Sequence, residues 1–145
     1  MGVRVKIRVK LNREEVETAA LVNTGFETEQ PEILLPVKLA ERLGLYPPAR
    51  NSTLEEYDVV GGITLVIKSS RLIDVQVLVE DRNTSFVKAT PIISSEEGEV
   101  LISDKLASAL KLSIEDPGGG LWRFNDEPLS IKRPAYFLNT GNRSV

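Results

Sequence analysis

The strongest constraint on the fold is a strict alternation of apolar and basic residues near the N-terminus. From residue 3 to residue 11, Val, Ile or Leu occupies every odd position and Arg or Lys every even one. A period of two places the two kinds of side chain on opposite faces of an extended strand, so we predict a β-strand with its apolar face toward a core. The basic row is either a solvated face or a stripe that binds nucleic acid. The net charge of −3 favours the solvated face and argues against nucleic acid as the main partner.

Further patterns of this kind predict a mostly-β domain. Residues 12–15 are suited to a hairpin connection that leads into a return strand over 16–22. Two strand-like runs, 54–60 and 63–68, flank Gly61-Gly62, and paired glycines between such runs are a strong hairpin signal. Other strands are predicted at 33–35, 72–80, 85–93 (with an interruption at Pro91), 100–102, 112–115 and 121–124.

Two short helices complete the predicted architecture. One begins at Pro36, because proline suits the first helical position, and ends at Gly44. The other begins after Ser103, a favourable N-cap, with Asp104 in its first turn. Many short strands with two helices indicate a mostly-β fold, a small closed barrel.

The absence of Cys and His excludes several classes of chemistry. Disulfide frameworks are impossible, Ser-His and Cys-His catalysis cannot occur within one chain, and zinc loses its usual ligands. We therefore predict no metal and no cofactor. No apolar run approaches the roughly 18 residues of a membrane span, which predicts no membrane partner. The alternating residues 1–10 are unlike a signal or transit peptide, so we expect a cytoplasmic protein.

A candidate site lies where the second predicted strand ends, in the sequence Ala-Leu-Val-Asn-Thr-Gly-Phe over residues 20–26. An apolar strand that runs into a tight Gly-containing turn is where a fold holds a side chain rigidly in an open cleft. Asn23, Thr24 and Gly25 also all favour turns, so a simple turn is the alternative interpretation.

With Asp in place of Asn23, residues 21–25 would read Leu-Val-Asp-Thr-Gly, the active-site loop of aspartic proteases. The chain resembles the retroviral-type aspartic proteases, the single-lobed branch that forms dimers, and in particular their small prokaryotic and archaeal members. Matching features follow in order: the first hairpin, a strand and helix over 34–45, the Gly61-Gly62 hairpin at the place of the flap, and segments 100–103 and 112–115. The resemblance covers about residues 3 to 124. It implies a protease domain over 1–125. We expect residues 126–145 to form a C-terminal extension, with a strand at 136–138 that contacts the dimer partner and a frayed tail after it.

The resemblance also implies roles for individual residues. Asn23 takes the position of the catalytic Asp, Thr24 makes a hydrogen bond between subunits, and Gly25 allows close backbone approach beside the catalytic side chain. Val60, Gly61, Gly62 and Ile63 cover a bound substrate, an extended peptide or protein. The implied assembly is a homodimer with the site on its two-fold axis.

In that family one Asp from each subunit shares a proton with the other, and the pair activates water for peptide-bond hydrolysis. An amide cannot accept and release a proton at accessible pH, so the protein as written is predicted to be an inactive form of an aspartic endopeptidase. A second departure is Ser103, where the family usually has Gly. Three hypotheses remain open: a protease that carries Asp→Asn, a natural non-catalytic relative that binds peptides or proteins, and a purely structural dimer.

Overall fold

The computed structural model describes residues 2–59 and 62–137, and eleven strands and two helices lie in that part of the chain. The strands are β1 Arg4–Leu11, β2 Glu14–Val22, β3 Glu32–Pro36, β4 Thr53–Val59, β5 Gly62–Lys68, β6 Ile73–Val77, β7 Val87–Ser94, β8 Val100–Ile102, β9 Leu112–Asp116, β10 Leu121–Phe124 and β11 Arg133–Pro134. The helices are α1 Val37–Leu43 and α2 Asp104–Ala109.

Six of the strands form a closed barrel. They follow the order β3-β8-β2-β1-β6-β7, and a parallel pairing between β3 and β7 closes the ring. The β4–β5 hairpin extends the same sheet outside the ring, because β5 pairs with β7. The prediction of a mostly-β fold with a small closed barrel and two short helices is confirmed.

The alternating residues of β1 have the burial that their pattern predicts. Val5, Ile7 and Val9 are almost completely buried, whereas the basic residues between them are half-buried. The turn to β2 is tight, and Asn12 adopts a positive φ of 55° there, a conformation that Asn tolerates well. The apolar face of this hairpin therefore supplies one wall of the core, as the period of two predicts.

Strand β7 corrects one sequence prediction, because it continues through Pro91 without interruption. On one side β7 pairs with β6 up to Ala89 and with β5 from Ile92 onward, so Pro91 lies at the change of neighbour. On the other side it pairs with Ile33 of β3. Because a proline lacks the N–H group, a strand tolerates it best where a ladder hydrogen bond is not needed.

The strand that follows the candidate turn is not the direct neighbour of β2. Strand β8 lies between β2 and β3, parallel to β2 and antiparallel to β3. The connection from β2 to β3 therefore passes over the end of β8, where α2 begins. Helix α1 begins at Val37 and not at the predicted Pro36, because Pro36 has an extended backbone conformation and is the last residue of β3. The helix ends at Gly44, which has a left-handed φ of 80°, as predicted.

A second small sheet, β9-β10-β11, packs against the barrel. The predicted strand at 136–138 is misplaced, because the strand in this region is Arg133–Pro134, while Tyr136 and Phe137 lie outside it and Leu138 lies outside the described residues. The misplacement arises because Trp122 and Arg133 set the register of the β10–β11 pair, a long-range contact that the local pattern does not contain. The Tyr136 N–H donates to the Arg4 carbonyl oxygen at 2.7 Å, so this segment still contacts β1. None of the helices in the described residues is long and apolar enough to cross a membrane.

Candidate active site at the end of β2

Two backbone hydrogen bonds fix the point where β2 ends. The Val22 N–H donates to the Val3 carbonyl oxygen at 2.9 Å, and the Asn23 N–H donates to the Ile102 carbonyl oxygen at 3.1 Å. Asn23 is half-buried, and Thr24 and Gly25 are exposed. Position 23 is therefore held by the barrel on its backbone side and lies at an opening to solvent.

The side chain of Asn23 is fixed by its own turn. The Oδ1 atom of Asn23 accepts a hydrogen bond from the Gly25 N–H at 3.1 Å, and the backbone carbonyl oxygen of Asn23 accepts one from the Phe26 N–H at 3.0 Å. A Cβ atom added at Gly25 would lie 3.3 Å from Asn23 Oδ1, closer than most Cβ contacts. The backbone at Gly25 therefore passes close to the Asn23 side chain. A carboxylate at position 23 would accept the same hydrogen bond, because Asp and Asn have nearly the same shape.

The loop that carries Asn23, residues 23–28, is tied to the start of α2. The Asp104 N–H donates to the Phe26 carbonyl oxygen at 2.9 Å, and Asp104 Oδ1 accepts from the Thr28 N–H at 3.1 Å. These two bonds hold the far end of the loop, as the Ile102 carbonyl holds its beginning. The site is therefore braced at both ends by one segment, β8 with α2.

Ser103 occupies the centre of this brace and is completely buried. Its Oγ atom accepts from the Leu106 N–H at 3.2 Å, which makes it the N-cap of α2, as predicted. The same atom accepts from the Glu32 N–H at 3.0 Å, and the Ser103 N–H donates to the Glu32 carbonyl oxygen at 3.1 Å. A glycine at position 103 would leave the N–H groups of Glu32 and Leu106 without the Oγ acceptor.

The β4–β5 hairpin contacts the Asn23 loop. The rings of Phe26 and Tyr57 meet edge to face, with 6.0 Å between their centroids. Of the four residues predicted to cover a substrate, Gly62 and Ile63 are exposed at the start of β5, and Ile63 pairs with Asp58. Val60 and Gly61 lie outside the described residues. The contact between Phe26 and Tyr57 connects this hairpin to the Asn23 loop.

One residue of this region has no sequence signal. Glu32 follows the polar residues 27–30, but it is the first residue of β3 and is only 3% exposed. Its Oε1 atom accepts from the Tyr57 hydroxyl at 2.6 Å, and its Oε2 atom lies 3.4 Å from Lys68 Nζ. Burial raises the pKa of the Tyr57 hydroxyl, and the hydrogen bond to Glu32 raises it further. Consecutive residues of β3 are buried on both faces of the sheet, so no alternation of polar and apolar residues marks Glu32 as buried.

Three grooves on the surface of the chain lie away from Asn23. A groove of about 540 Å³ runs between Thr18, Leu39 and Val100, and neither it nor the two other described cavities includes Asn23. Within the described residues, no cluster of three or more Asp or Glu side chains is placed to hold a metal ion.

The arrangement can present one amide at an open position but cannot transfer protons there, because an Asn side chain is neither an acid nor a base at accessible pH. None of the family models compared with this chain matches it, and no curated protein matches it either.

Proposed function

We propose that this chain is a homodimeric protein of the retroviral aspartic-protease type, an endopeptidase made inactive by Asn23. The observation that carries the proposal is the turn at the end of β2. A short polar side chain is hydrogen-bonded to the Gly25 N–H at an opening to solvent, braced by α2 and approached by a hairpin. The order of elements also supports it, because the predicted hairpin, strand, helix, second hairpin and second helix all occur in sequence. A cytoplasmic location stays a prediction.

With Asp at position 23, two such loops would bring two carboxyl groups together across a two-fold axis. Their proximity raises the pKa of one of them, so the pair holds a single proton over a range of acidic pH. The ionised carboxyl removes a proton from water, which attacks the peptide carbonyl, and the protonated one donates to the carbonyl oxygen. In a dimer of the chain as written, both positions are amides and both roles are lost together.

The decisive experiment is Asn23→Asp, assayed on a mixed peptide library between pH 3 and pH 7. We expect cleavage that is favoured by acid and suppressed by pepstatin-like inhibitors, because the Gly25 N–H is already placed to bind the new carboxylate. The unchanged protein and Asn23→Ala are the controls, and both should be inert. A folded, dimeric Asn23→Asp protein that cleaves nothing would overturn the protease interpretation.

A second candidate is a non-catalytic dimer of the same type that binds extended peptides or proteins, and Ser103 favours it. Two backbone N–H groups depend on this buried hydroxyl, so the departure from Gly is built into the packing of the site. A retained groove would bind a peptide by adding it as a strand. Saturable binding of library peptides to the unchanged protein, combined with an inert Asn23→Asp variant, would select this function. No binding by either protein would favour a purely structural dimer.

A further inference from the structure

We propose that Glu32 is a positioning residue that clamps the β4–β5 hairpin over the Asn23 loop. The clamp consists of Glu32, Tyr57 and Lys68. It holds both strands of the hairpin through one buried carboxylate, because Tyr57 belongs to β4 and Lys68 to β5. The Tyr57 hydroxyl donates to Oε1 at 2.6 Å, and Lys68 Nζ lies 3.4 Å from Oε2.

The burial of Glu32 makes these contacts strong. Its side chain is 4% exposed, and a carboxylate with so little access to water needs partners in the protein. Hydrogen bonds to a charged acceptor are shorter and stronger than neutral ones, which agrees with the 2.6 Å distance. The hairpin cannot lift from the barrel without exposing this carboxylate or leaving it unpaired.

The residues of the clamp contact the residues that hold the candidate site. The backbone of Glu32 exchanges hydrogen bonds with Ser103, the N-cap of the helix whose first residue braces the Asn23 loop. The ring of Tyr57 contacts Phe26 in that loop. The carboxylate, the hairpin and the loop are therefore linked through two separate sets of contacts.

A second hydrogen bond holds the hairpin beside the clamp. Thr64 is the partner of Tyr57 across the two strands, and its Oγ1 donates to Glu96 Oε2 at 2.9 Å. Beyond this pair, Asp58, Gly62 and Ile63 are exposed. The Tyr57–Thr64 pair therefore connects both strands of the hairpin to the rest of the protein, β4 through Glu32 and β5 through Glu96.

Native-state hydrogen exchange of Tyr57→Phe and Glu32→Gln tests the clamp. Tyr57→Phe keeps the ring on Phe26 and removes only the hydroxyl. We expect amides of β4 and β5 to exchange about ten- to a hundredfold faster, since a hydrogen bond to a charged group contributes such a ratio, while those of β1 and β2 keep their rates. Glu32→Ala should have a larger effect than Glu32→Gln, because glutamine still accepts from the Tyr57 hydroxyl.

The matched controls are Tyr46→Phe and Glu56→Gln, which change exposed side chains of the same types. If the amides of the hairpin and of β1–β2 exchange faster by the same factor, the variant is destabilised as a whole and the clamp is overturned. Unchanged exchange rates in the hairpin would also overturn it. If a Glu32 variant does not fold, Tyr57→Phe and Lys68→Met decide the question, because each leaves the buried carboxylate one partner.

A kinetic readout separates positioning from stability and rests on the proposed function. In an active Asn23→Asp protein, adding Tyr57→Phe should raise KM more than it lowers kcat, because a looser hairpin holds the peptide less well. A fall in kcat with unchanged KM would contradict the positioning role. An inert Asn23→Asp protein would overturn the proposed function instead, and the exchange rates would still decide for or against the clamp.

Discussion

At the scale of single residues, the candidate site depends on how closely the backbone passes the side chain of Asn23. The Gly25 N–H donates to Oδ1 at 3.1 Å, and glycine has no Cβ atom to crowd this oxygen. This bond sets the direction of the side chain at position 23, whether that side chain is an amide or a carboxyl group. A residue other than glycine at position 25 would push the two groups apart.

Gly25→Ala should therefore damage the site more than the fold. Its Cβ would lie 3.3 Å from Oδ1, so the turn must shift by a few tenths of an ångström. In the active Asn23→Asp background we expect kcat/KM to fall about tenfold or more and the free energy of unfolding to change by less than about 1 kcal/mol. Gly98→Ala is the control, because a Cβ there meets nothing within 4 Å. Unchanged kcat/KM would show that the close approach is dispensable.

At the scale of elements, most of the barrel could be predicted from local patterns. The alternation over 3–11, the Gly61-Gly62 pair, the cap at Ser103 and the end of α1 at Gly44 each carry a short-range signal. Contacts between distant segments carry none. The continuity of β7 through Pro91 depends on which strands flank it, and the burial of Glu32 depends on a hairpin more than twenty residues later in the chain.

Ser103 gives a prediction at this scale because it joins two elements. Ser103→Ala removes the acceptor of the Leu106 N–H in α2 and of the Glu32 N–H in β3, both buried. We expect the free energy of unfolding to fall by about 1–3 kcal/mol in urea titrations. Ser108→Ala, an exposed position of the same helix, should change it by less than about 0.5 kcal/mol. Equal effects would mean that the double contact of Ser103 contributes nothing.

At the scale of the whole molecule, one arginine joins the small sheet to the barrel. Arg133 donates to Asp81 at 2.8 and 3.0 Å and to Glu127 at 3.0 and 2.6 Å, and its guanidinium lies 5.7 Å from the centre of the Trp122 ring. Hydrogen bonding to Arg133 lowers the pKa of both carboxyl groups. Such groups stabilise the fold above their ordinary pKa values, and that contribution is lost as the pH falls through the lowered ones.

Arg133→Met should therefore unfold more easily than the unchanged protein at pH 7, and the difference should shrink below about pH 4. The check is denaturant unfolding of both proteins at pH 7, 5 and 3. Arg13→Met, at an exposed turn position, should follow the unchanged protein throughout. A difference in stability that stays constant with pH would mean that Arg133 acts through packing and not through its carboxylate partners.

Assembly is the last property of the whole molecule that the proposed function requires. In the proposed dimer, each chain supplies one Asn23 loop, exposed at Thr24 and Gly25, and a two-fold axis brings the two loops together in one cleft. We expect sedimentation velocity at micromolar concentration to show a dimer. Thr24→Ala should weaken it, since Thr24 is proposed to hydrogen-bond between subunits, whereas Thr53→Ala, at an exposed position of β4, should not. A monomer at every concentration up to about 100 μM, well above the Kd of a stable dimer, would remove the half-site from which the proposed chemistry follows.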